Sequence, residues 1–205
     1  MIEKLKLESI FDRYFYLFSL IFVLQLSLLV YINSTILLNV PMKKLLIVRH
    51  AKSDWETGIT DFNRPLNNRG IRVAQKMAVV LKDEGVSLDS VICSPAKRTQ
   101  QTAQLLLNGV FDRTNIILKE SIYEGTFFKL LNLINNDVDD SVATLMLIGH
   151  NPGVTELVDY LSSANIGGMP TCSCVCLTTE VDSWKLASKG IFSMEWNIYP
   201  KMFSF

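Results

Sequence analysis

From Met42 onward, short continuous apolar runs alternate with stretches of helical periodicity, and this alternation limits the fold more than any other feature. Residues 44–48, KLLIV, form an apolar run suited to a strand buried on both faces, as in a parallel sheet covered by helices. Asn67 and Asn68 can cap a helix reaching about Glu84, in which Ile71, Ala74, Ala78 and Leu81 recur at helical spacing before Gly85. Ser90 to Cys93 is the next strand. Ser94 and Pro95 suit the cap and first turn of a helix through Leu107, which puts Arg98 in that first turn. Further strands are expected at Asn115 to Leu118, Ala143 to Ile148, Cys172 to Thr178 and Ile191 to Ile198, with helices from about Thr126 to Asn135 and Thr155 to Leu161. Such a pattern predicts an α/β fold, a three-layer α/β/α sandwich with a mostly parallel central sheet.

The chain has 205 residues and 49% apolar composition, enough for one core. Lys plus Arg and Asp plus Glu are both 20, so no summed field draws it to nucleic acid. Cys172, Cys174 and Cys176 alternate along one segment, a spacing awkward for disulfides, and they read as reduced thiols of a cytoplasmic core rather than a C-x-C metal site. No Walker loop, zinc spacing or dinucleotide fingerprint is present, and no metal or cofactor is expected. Residues 14–31 carry no charge and are long enough to span a bilayer, with no cleavage site after them. An uncleaved membrane anchor, a gene-model artefact with translation starting at Met42, and a core helix are the three readings of this segment. The expected division is therefore residues 1–41 as an apolar extension and 42–205 as the functional domain.

Ligands of open α/β sheets bind beyond the carboxyl ends of the strands, and three segments place polar groups there: Arg49 with His50, Ser94 to Arg98, and Gly149 with His150. The chain's two histidines both directly follow buried strands, beside groups suited to phosphate. Arginine offers a planar fork of donors that stays charged, which stabilises the negative charge on a phosphoryl group in transfer. A neutral imidazole beside arginines can act as the nucleophile, and His50 is assigned that part.

LIVRHAKSDW (46–55), RPLNNRG (64–70), SPAKRTQQTA (94–103) and Gly149-His150 together resemble the blocks of the histidine phosphatase superfamily, the phosphoglycerate mutase-like enzymes. K-S-x-W after the first motif and G-H-N-P in the last are most similar to SixA-type phosphohistidine phosphatases. The resemblance implies that His50 accepts the phosphoryl group, that Arg49, Arg98 and His150 hold it, and that Ser53 and Asn151 contact it. Glu124, with Glu120 as the alternative, matches the proton donor of larger members. One strand and one helix fill the stretch between Glu124 and Gly149, so no inserted cap domain is expected. An uncapped groove and a good leaving group fit a phosphorylated protein, such as a histidine-phosphotransfer domain. A small phosphoester handled by a phosphatase or mutase is the alternative substrate class, and an inactive phosphate-binding scaffold is the third reading.

Overall fold

The computed structural model describes residues 18–31, 42–55, 58–108, 111 and 115–204. The chain separates into two compact units, residues 1–40 and 41–205. In the first, residues 18–31 form a helix, α1, with exposed apolar side chains including Phe18, Phe22 and Leu29. Among the described residues no helix is long and apolar enough to cross a membrane. Residues 14–17 of the expected apolar span lie outside the described residues.

The second unit is built on a six-stranded sheet in the order β3-β2-β4-β1-β5-β6. Strands β1 (Lys43–Arg49), β2 (Ser90–Cys93), β3 (Ile116–Leu118) and β4 (Thr144–Gly149) are mutually parallel, whereas β5 (Cys174–Thr179) and β6 (Ser193–Ile198) run antiparallel to β1 and to each other. The sheet is thus mixed, parallel over β1 to β4 and antiparallel over the last two strands. Helices α2 (Asn68–Asp83), α3 (Lys97–Leu107), α4 (Phe127–Asp137) and α5 (Gly153–Ser162) cover it.

Side-chain alternation along β1 explains why both faces need helices. Leu45 and Ile47 join one core with Leu130 and Leu133 of α4 and Val154 and Leu157 of α5. Leu46 and Val48 join the other with Met77 and Leu81 of α2 and Leu106 of α3. Cys172, Cys174 and Cys176 belong to this second core as buried free thiols. Burial pushes the Cys172 thiol up to about 12. The expected caps are realised unevenly. Asn67 caps α2 by accepting from the Gly70 amide at 2.8 Å. Ser94 does not cap α3, which begins at Lys97 with Ala96 before it and no side-chain cap. The Ser94 hydroxyl is engaged by a histidine instead.

Candidate active site

The sheet order brings the sequence-predicted residues together. β4 lies between β1 and β2, all three parallel, so their carboxyl ends sit side by side. Backbone bonds extend the ladder past the strands, from the His50 amide to the Gly149 carbonyl and from the Ser94 amide to the Ile148 carbonyl, both 3.1 Å. Arg49, His50, Ser53, Arg98, His150 and Asn151 all line one cavity of about 210 Å³ at this edge.

Hydrogen bonds fix the state of each imidazole. The Ala51 carbonyl can only accept, so His50 Nδ1 donates to it at 2.7 Å and Nε2 keeps its lone pair. Arg98 Nη2 donates to His150 Nδ1 at 3.3 Å, which leaves His150 Nε2 to donate to Ser94 Oγ at 2.8 Å. The two rings lie 5.1 Å apart between centroids. Burial, reinforced by the charges of Arg98, Arg49 and Arg64, pushes His50 down to about 4. Burial, the neighbouring His50 and Arg98 push His150 down to about 3. Both imidazoles are therefore neutral near pH 7. With two histidines in the chain, an NMR pH titration resolves each, and neither should gain a proton above about pH 5; an imidazole titrating near its ordinary ~6.5 would contradict this geometry. Because the folded pKa values are depressed, the unfolded chain binds more protons below pH 6.5. Stability from these groups is complete above that pH and declines as pH falls toward 4.

Three residues that sequence reasoning did not assign complete the site. Arg64 lines the cavity, with Nη1 donating to Ser53 Oγ at 3.0 Å and its guanidinium 3.9 Å over the Trp55 ring. Asp61 joins the cations: one carboxylate oxygen accepts from Arg64 Nη2 at 2.6 Å, and the other accepts from Arg98 Nη2 at 2.9 Å and the Tyr123 hydroxyl at 3.1 Å. Burial raises the Asp61 pKa, but the Arg64 hydrogen bond, the Arg98 charge and the other donated bonds outweigh it and hold the carboxyl below its ordinary value. The third residue, Thr171, follows Met169, whose carbonyl accepts from Arg49 Nη1 at 2.6 Å and Asn151 Nδ2 at 3.1 Å.

Arg64 reaches the cavity because residues 52–54 and 65–67 pair across a single bridge, Ser53 with Leu66, flanked by bonds from Asp54 to Pro65 and from Asn67 to Lys52. Gly70, in the first turn of α2, is what permits this approach, since a Cβ there would overlap the Lys52 carbonyl. Gly70→Ala should destabilise the fold by ~1–3 kcal/mol in urea unfolding and displace the loop carrying Ser53. An unchanged unfolding midpoint would refute that account.

Glu124, the expected proton donor, occupies a left-handed backbone position (φ 54), exposed and outside the cavity lining. Glu120 is exposed as well. Their side of the site holds Tyr123, whose ring meets His150 edge-on at 5.8 Å. Among the described residues no carboxylate lines the cavity, and no three His, Cys, Asp or Glu side chains are grouped to hold a metal ion. Among the described residues, Arg49 Nε and Arg98 Nε are buried donors with no acceptor. Cations, unmatched N–H donors and a neutral imidazole together suit a tetrahedral oxyanion.

The model of the histidine phosphatase superfamily (branch 1) matches residues 45–141. An uncharacterised protein of Mycobacterium tuberculosis is 36% identical over 116 residues, 57% of this chain and 70% of that protein. An uncharacterised chloroplastic protein of Arabidopsis thaliana is 29% identical over 171 residues, 77% of this chain and 78% of that protein. Among solved structures, the protein histidine phosphatase SixA complexed with tungstate is similar, with a TM-score of 0.67 at 22% identity over 78% of this chain and 98% of that one. A mycobacterial glucosyl-3-phosphoglycerate phosphatase has a TM-score of 0.56 at 13% identity, over 77% of this chain and 100% of that one. One fold thus serves a protein substrate in the first and a small phosphoester in the second, so the fold alone does not select between them.

Proposed function

Because this chain belongs to the histidine phosphatase superfamily, we propose that it hydrolyses phosphohistidine in proteins through a covalent intermediate on His50. The observation that carries this reading is the His50 ring, held by the Ala51 carbonyl with its Nε2 lone pair unengaged among the described residues, in a cavity it shares with Arg49, Arg64 and Arg98. Nε2 attacks phosphorus of a phosphohistidine whose other ring nitrogen is protonated, the bond from phosphorus to that ring breaks, and the imidazole departs with the electron pair as a neutral ring, while phospho-His50 carries the positive charge with its Nδ1 proton held by the Ala51 carbonyl. Water then attacks phospho-His50, releasing inorganic phosphate and restoring the neutral ring. Arg49, Arg64 and Arg98 stabilise the equatorial oxygens, and the unmatched Nε donors of Arg49 and Arg98 supply bonds that develop in the transition state. His150, a neutral ring with Nδ1 held by Arg98, gives its Nε2–H to the phosphoryl group in exchange for the bond to Ser94 Oγ. Ser53 orients Arg64, and Asn151 orients the Met169 carbonyl that holds Arg49.

The leaving group favours phosphohistidine. An alkoxide needs a proton donor, whereas Asp61 is kept ionised by its arginines and Glu124 lies outside the cavity. In this reading residues 42–205 are the enzyme, residues 1–41 take no part in the chemistry, and the buried unpaired thiols suit the cytoplasm. The full chain, given a phosphorylated histidine-phosphotransfer domain and a panel of sugar and glycerate phosphates, should favour the phosphoprotein in kcat/KM by about two orders of magnitude. Preference for any member of the panel would replace this reading with a small-molecule phosphatase.

A further inference from the structure

We propose that a cationic groove leading away from the catalytic cavity is the docking track for an acidic polypeptide segment of the substrate. This rests on the reading that the cavity dephosphorylates proteins. Three hollows share walls. Lys52 and Thr171 line both the catalytic cavity and a cleft of about 70 Å³, and Arg69 and Lys201 line both that cleft and a groove of about 410 Å³.

The groove's charge comes mainly from one helix. Arg69, Arg72, Val73 and Lys76 are spaced i, i+3, i+4 and i+7 along α2, so they form one stripe about 10 Å long, and the turn at Pro200–Met202 sets Lys201 against it. Among the described residues no Asp or Glu lines any of the three hollows. In a chain with zero formal net charge this concentration is local, not a by-product of overall basicity. Lys52, Arg69, Arg72 and Lys201 are exposed, and among the described residues none of them is in an ion pair.

The extent and chemistry of the groove select its occupant. Arg72 and Lys201 line the outer hollows and not the catalytic cavity, so a phosphoester held in that cavity alone has no contact with them. The floor is formed by Val73, Pro200 and the half-buried Phe203, among the described residues the one aromatic lining the two outer hollows, which offers little to stacked nucleic-acid bases. Acidic side chains on the cationic rim and an aliphatic one on the floor match an extended peptide, and rim charges of this kind act on encounter and are weakened by salt.

Two synthetic phosphohistidine peptides test this with the full chain, one flanked by Asp and Glu and the other by Ser and Gln. At low salt the acidic peptide should have roughly tenfold higher kcat/KM, expressed in KM and lost at high salt. The double variant Arg72→Glu, Lys201→Glu should erase the preference while hydrolysing phosphoramidate, a substrate too small to reach the groove, at the wild-type rate. That rate also reports correct folding, and Arg72→Gln with Lys201→Gln provides a milder second variant. If the wild-type chain hydrolyses both peptides equally, the docking track is refuted and the phosphatase reading stands. If it hydrolyses neither peptide but does hydrolyse sugar phosphates, the functional reading fails and the track fails with it. Stronger competition by a single-stranded oligonucleotide than by polyglutamate would overturn the assignment of a polypeptide occupant.

Discussion

His50→Ala is expected to lower turnover of a phosphohistidine substrate by at least about 10⁴-fold, because it removes the atom to which phosphorus becomes bonded. The residual rate should come from the arginine cluster, which still binds and polarises the phosphoryl group. Rapid mixing followed by intact-mass measurement should show wild-type chain carrying one added phosphoryl group, sensitive to acid, and no such species in the variant. Thermal unfolding of the variant should stay close to wild type, since the lost side chain faces a cavity and its bond runs only to the neighbouring Ala51 carbonyl. A variant that retained turnover within tenfold of wild type would exclude covalent catalysis at this residue.

Arg98→Ala should have the second largest effect, a fall in kcat/KM of about 10³–10⁵-fold, the range expected when a guanidinium is removed from transferring phosphate. Its neighbours explain why the loss exceeds that of one charge. Arg98 donates to the Asp61 carbonyl at 2.6 Å, to the Asp61 carboxylate at 2.9 Å and to His150 Nδ1 at 3.3 Å. Without it Asp61 turns its charge on the site with only Arg64 and Tyr123 as partners, and His150 loses the bond that sets its tautomer. Removal of a nearby positive charge should also raise the His150 pKa, observable in the same NMR titration. Arg98→Lys should recover little, because an ammonium is a point charge and cannot bond Asp61 and His150 together. Lysine restoring wild-type kcat/KM would mean that charge alone matters and that the bridging geometry does not.

The small effect expected of substitutions at Glu124 follows from the same geometry. Its resemblance to a family proton donor rested on position in the sequence, and position fixed the turn but not the direction of the side chain. The turn leaves Glu124 exposed and out of the cavity lining, and sets Tyr123 beside His150 and Asp61.

What the sequence determined by itself is the set of elements and the ends at which chemistry gathers. A run such as residues 44–48 has one stable use, a strand covered on both sides, and a polar residue directly after such a strand has to emerge at the sheet edge. Arg49, His50 and His150 were legible for that reason, and Arg98 from its place in the first turn of the helix that follows β2. Only the tertiary structure decided the rest. The strand order that sets β4 between β1 and β2 depends on long-range pairing, which no local pattern encodes. Asp61 and Arg64 lie in a segment without regular periodicity and reach the cavity through one bridge to Ser53 and the close approach that Gly70 permits. The cationic groove arises because a helix stripe and a turn more than a hundred residues later meet in space, a juxtaposition that side-chain spacing along one element cannot reveal.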